Sequence, residues 1–179
     1  LAIELAAAHL VIFSTDQLAA RLNESFNLLT GGSRTAMPRH QTIRASIDWS
    51  WNLISNLERT LLRRLSVFSG GWTLEAAESI CSGNGIESPQ LLELMSQLVT
   101  KSLVIVNQES GCERRFYLHE TIHQYAHEKL TEAGEAENIR SLHLKYFLEL
   151  SGLDEPALHG IQQMEWFGRI NDERGNIRV

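Results

Sequence analysis

His119-Glu120-Thr121-Ile122-His123 reads H-E-x-x-H, the spacing with which one helix offers zinc two histidines and a glutamate to act as general base on bound water. Positions i and i+4 place both imidazoles on one helix face. A catalytic zinc needs a third protein ligand and an open position. The extended protease pattern is broken, since Ala126 stands at its glycine and Lys129 at its third histidine. Glu135 and Glu137 lie close to the following loop, Glu149 needs a favourable helix crossing, and His127 cannot converge with the other two on a straight helix. The simpler expectation is an accidental match whose histidines flank an apolar face. A zinc hydrolase using His119, Glu120 and His123 is the lesser alternative.

The elements around this stretch place it differently. Arg115-Phe116-Tyr117-Leu118 is a short aromatic strand, and His119 begins the helical period of Ile122, Tyr125, Ala126 and Leu130 that ends at Gly134. Upstream, Leu103-Val104-Ile105-Val106 reads as the partner strand, with a turn at 109–112. Three helices precede this hairpin. The first starts at Thr42 and carries Ile43, Ile47, Trp51 and Ile54. The second is capped by Ser55 or Asn56, turns Leu57, Leu61, Leu62, Leu65 and Phe68 inward, and ends at Gly70-Gly71. A short turn of helix capped by Thr73 leads to the third, which starts at Ser88-Pro89 with Leu91, Leu92, Met95, Leu98 and Val99 on its stripe. Helices followed by a hairpin give the order of a winged helix, with the hairpin as wing.

The flanks are helical too. Leu1 to Leu10 forms a small-residue helix, and Ser14 or Thr15 caps another through Leu18, Ala19, Leu22 and Phe26. The stretch from Thr30 to His40 is a linker of glycines, hydroxyls and a proline. A long helix carries Ile139, Leu142, Tyr146, Phe147 and Leu150, is broken by Gly152 to Pro156, and gives way to another around Ile161, Met164, Phe167 and Ile170. The expected fold class is mainly α: a helical bundle plus a winged helix with a small β-hairpin, followed by TPR-like helices. The expected division is 1–40, 41–130 and 131–179. The chain opens and closes inside helical patterns, as a piece of a longer polypeptide does.

Composition narrows the function. At 43% hydrophobic and 21% charged, the chain is an ordinary globular sequence, and no apolar run reaches the roughly 20 residues of a membrane span. Leu1 to Phe13 carries Glu4 and His9 and lacks a basic leader and a cleavage site. Cys81 and Cys112 form no metal-type pair, which fits a reducing cytoplasm. A net charge of −6 argues against broad nucleic-acid binding. The expected recognition helix, Ser88 to Ser102, offers only Lys101 as a base, against Glu87 and Glu93. The wing sets Arg114 and Arg115 against Glu109 and Glu113. The other basic residues gather at Arg34, Arg39, His40 and Arg44 and at Arg59, Arg63 and Arg64, either as solvated faces or as contacts to an acidic domain or a nucleotide phosphate. A DNA-binding winged helix therefore remains an alternative. Without a G-x-x-x-x-G-K-[ST] loop, a G-x-S-x-G or a Cys-His-Asn set, an autonomous enzyme is not expected.

Several segments are specific in wording. Leu1-Ala2-Ile3-Glu4-Leu5-Ala6-Ala7, Pro38 to Ser50, Leu62 to Ala77, Leu98-Val99-Thr100-Lys101-Ser102-Leu103-Val104 and Trp166 to Arg178 together resemble the STAND signal-transduction ATPases. The likeness is to the AfsR/SARP-like or LuxR-like bacterial transcriptional regulators, related to NB-ARC proteins. It implies the end of an ATPase lid, a winged helix and the start of a helical-repeat sensor. It also implies that Leu118-His119-Glu120 matches the family's Met-His-Asp position, with glutamate replacing aspartate. There the histidine contacts the β-phosphate of ADP and holds the inactive state. ADP or ATP would belong to the full-length parent, which would hydrolyse ATP. The segment itself is expected to bind neither tightly. The implied partners are the ATPase core and the sensor of the same chain, a homo-oligomer on activation, and DNA only through other domains, with no membrane and a cytoplasmic location.

Overall fold

A computed structural model describes residues 14–17, 38–107, 114–152, 168 and 170–178, with helix α1 traced as backbone alone over 38–43. Ser14 caps the helical residues 15–17, its hydroxyl accepting from the Gln17 amide at 3.3 Å. The rest of that segment, the helix expected over 1–10 and the turn expected at 109–112 lie outside the described residues.

Helix α1 spans Pro38–Leu53 and starts four residues before Thr42. Pro38 was expected in the linker. It instead occupies the first turn, where a missing N–H costs nothing. Helix α2, Asn56–Leu65, is set by a reciprocal cap: the Ser55 hydroxyl accepts from the Glu58 amide, and the Glu58 carboxylate accepts from the Ser55 amide at 2.7 Å. Leu61, Leu62 and Leu65 are buried from it, but Leu57 is exposed. The helix ends at Leu65 and not at Gly70-Gly71; Ser66 and Val67 fold back onto the last-turn carbonyls, leaving Phe68 buried beyond the helix.

Thr73 caps α3, Leu74–Cys81, accepting from the Ala76 amide. Helix α4, Ser88–Thr100, begins with Pro89 in its first turn and buries Leu91, Leu94, Met95 and Leu98. Leu92, expected inward, is 56% exposed. Strands β1, Ile105–Asn107, and β2, Arg115–Tyr117, pair antiparallel with Val106 opposite Phe116. Trp72 adds a one-residue bridge to Phe116, through two backbone hydrogen bonds of 2.8 and 3.0 Å. Its indole stacks on Phe68 with ring centroids 5.4 Å apart. Helix α5, Glu120–Glu132, returns across α2, and Gly134, at φ +70°, reverses the chain into α6, Ala136–Gly152, which packs on α3. A last turn of helix, α7, spans Arg174–Ile177.

The core is continuous from Ile47 through α2–α5 to Ile139 and Phe147 of α6. Charge is built into it. Arg64 is 1% exposed and donates to the carbonyls of Cys81 and Gly83 at 2.9 and 2.7 Å and to Glu135 at 3.2 Å. Helices followed by a two-stranded wing, with Trp72 bridging to the second strand, make a winged helix.

Candidate regulatory interface

His119 closes the strand and caps α5. Its backbone is extended, at φ −60° and ψ 143°, and its side chain makes no capping hydrogen bond. It is therefore off the helix, and the i, i+4 face assumed for H-E-x-x-H does not form. The ring is part-exposed, beside the free N–H groups of the first turn of α5, where an anion is favoured. Glu120 is exposed and accepts from Gln124 at 2.8 Å. His123 Nε2 lies 3.0 Å from the Phe68 carbonyl. A carbonyl only accepts, so Nε2 carries the proton and its lone pair is not offered to a metal. Glu135, once a possible third ligand, receives Arg63 and Arg64 instead, and Glu149 faces Lys145 on α6. Among the described residues no three His, Cys, Asp or Glu side chains gather as a metal set.

Helix α4 and the wing hold two of their cations in ion pairs. Lys101, at the end of α4, pairs with Glu58, whose carboxylate is 2% exposed. Burial pushes that carboxylate up, but the Lys101 and Ser55 hydrogen bonds outweigh it and hold it low. Arg115 of the wing pairs with Glu173 at 2.5 Å. Glu87 and Glu93 remain exposed on α4, and Arg114 is exposed beside the wing.

The other basic residues divide as follows. Arg59 donates to the Trp51 and Asn52 carbonyls at 2.8 and 2.9 Å. With Arg63 and Arg64 on Glu135, that cluster is a scaffold and not a solvated face. Arg44 holds Glu128 at 2.7 Å and lies over the Tyr125 ring. Arg34, and the side chains of Arg39 and His40, lie outside the described residues. Sequence reasoning missed Asn176, which is 3% exposed, accepts from the Ser69 amide at 2.7 Å and donates to the Gly71 carbonyl at 2.9 Å. Nothing local to Asn176 signals partners 105 positions or more away.

The geometry defines a winged helix whose part-exposed His119 sits at a strand-to-helix corner, and residues 54–131 match the winged helix-turn-helix domain family. Over an alignment of 180 residues the chain is 39% identical to proteins of Mycobacterium tuberculosis and Mycobacterium bovis that carry the provisional name of HTH-type transcriptional regulator. The alignment covers 100% of this chain and 20% of each of them, so the chain spans a fifth of the length of these curated relatives. An uncharacterized protein of Mycobacterium tuberculosis is 38% identical over 147 residues, which is 82% of this chain and 37% of that protein. Among the described residues no helix is long and apolar enough to cross a membrane.

Proposed function

We propose that this chain is the regulatory, non-catalytic winged-helix part of a transcriptional regulator, working through contacts within its own polypeptide. One observation carries the reading: Lys101 at the end of α4 and Arg115 of the wing are both spent on buried internal carboxylates. A winged helix that grips phosphates needs such cations free. The relatives' names support the regulatory context. In the finer form of this proposal the parent is a STAND ATPase switched by ADP and ATP in the cytoplasm. Residues 1–40 end its lid, 41–130 form the winged helix and 131–179 lead into a TPR-like sensor. His119, free of any capping bond, contacts the ADP phosphate together with the first turn of α5. A contact made only with ADP present biases one state of a switch. In the full-length parent, His119→Ala is expected to weaken ADP binding and raise basal output. Unchanged ADP affinity together with unchanged basal output sinks this role.

The match to a winged helix-turn-helix family keeps a second reading, direct DNA binding by α4 and the wing. Duplex binding by this chain at moderate affinity, weakening steeply with salt, establishes that reading in place of the first.

A further inference from the structure

Between α5 and α6 lies a cavity of about 790 Å³, in the range of small-molecule sites. Helix α5 contributes His123 and His127, one turn apart, and α6 contributes Arg140 and His143. Further along the same face of α6 come Leu144, Phe147 and Leu148, with Val67 beyond α2 on the floor. The walls are thus cationic and donor-rich at one end and apolar at the other. Leu144 and Leu148 are each 60% exposed, apolar surface that a ligand can cover. Among the described residues no aspartate or glutamate lines the cavity, although the chain holds 22 acidic residues against 16 basic ones.

Hydrogen-bond logic specifies the polar end. Arg140 Nη2 is 3.1 Å from His127 Nε2. A guanidinium only donates, so Nε2 accepts, and the proton of the neutral ring must sit on Nδ1. That Nδ1 is buried with no partner, and so is Nε2 of His143, a residue only 6% exposed. Arg140 is exposed and has no carboxylate partner among the described residues. Burial, then the nearby Arg140 charge, keeps His127 below the ordinary imidazole value, and Arg140 brings a permanent positive charge to this end.

We propose that this cavity binds a small organic monocarboxylate with an apolar body. Its carboxylate lies on the Arg140 fork beside His127 and His143, and its body lies along Leu144, Phe147 and Leu148. The planar fork and the single charge match a carboxylate. A phosphate dianion would meet Arg140 as the single arginine or lysine among the described lining residues. The site uses neither His119 nor α4, so it stands independently of the switch reading.

The test uses this chain at pH 7 with sodium octanoate, 1-octanol and inorganic phosphate, followed by histidine ring signals in NMR. Octanoate is expected to bind saturably and shift His127 and His143, with 1-octanol about tenfold weaker or more and phosphate inert. Arg140→Gln, at an exposed position, is expected to weaken octanoate about tenfold, the loss of one charge-assisted contact. Leu148→Glu, at the apolar end, is expected to do the same without touching the polar groups. No saturable binding overturns the proposal. So does octanol matching octanoate, phosphate matching octanoate, or octanoate affinity unchanged in both variants.

Discussion

Arg115 on the wing and Glu173 before α7, 58 positions apart, meet at 2.5 Å. The second carboxylate oxygen of Glu173 accepts from Asn176, which in turn holds Ser69 and Gly71 in the turn between α2 and α3. One polar knot therefore joins the wing, the Ser69-Gly71 turn and the last helical turn. Glu173→Gln keeps the shape and removes the charge. It is expected to cost about 1–3 kcal/mol, as for a buried hydrogen bond to a charged group. Amide exchange locates the loss: the Ser69 amide, held only through Asn176, should lose protection first. Unchanged protection there means that the knot does not hold α7 in place.

Acid stability reads out a second pair of contacts. Burial raises the Glu135 carboxyl, but the hydrogen bonds from Arg63 and Arg64 outweigh it and bring it from 4.5 to about 2. A depressed carboxylate stabilises fully above its unfolded value and loses that stabilisation as pH falls through the folded one. That stabilisation is lost between about pH 4.5 and pH 2. Urea midpoints measured across that window should fall in the parent chain. In Glu135→Gln they should start lower and fall less. Parallel curves for the two proteins contradict the assignment.

Two adjacent glycines make a controlled comparison. Gly70 and Gly71 have φ of +96° and +94°, so alanine strains either. At Gly70 the added carbon meets only the Gly175 backbone at 3.6 Å, an ordinary contact. At Gly71 it falls 2.5 Å from the Tyr117 ring and 2.9 Å from the Phe116 carbonyl. Gly70→Ala is expected to cost about 1–2 kcal/mol, the strain alone. Gly71→Ala should cost more and shift the wing. Thermal melts of the two variants check the order, and equal melting temperatures refute it.

The fold was readable where local chemistry decides. Ser55, Thr73 and Pro89 mark helix starts, Gly134 marks a stop, and the change of period before Ile105 marks the hairpin. Periodicity shows where an apolar stripe lies but not its width, so Leu57 and Leu92 were assigned inward though both face outward. Glu58 and Arg64 are charged, which reads as solvated. Their burial depends on Lys101 and Glu135, 43 and 71 positions away. The same limit governs the site. Spacing alone cannot tell a histidine on a helix from one just before it, and that difference separates a zinc pair from the His119 corner.

Cys81 is fully buried, and burial pushes its thiol up to about 12. A thiol held so far from ionisation is a poor nucleophile. At pH 8 the peptide containing Cys81 should stay unlabelled by iodoacetamide in the native protein and become labelled in urea. Rapid native labelling, read by mass spectrometry, contradicts the packing around α3.

Arg64 fastens the end of α3, the turn after it and the loop between α5 and α6 to α2 through one guanidinium. The three segments therefore share one point of attachment on α2, and losing that guanidinium would unfasten all of them together. Where a core usually spreads its hold over many apolar contacts, these polar ends converge on a single buried cation.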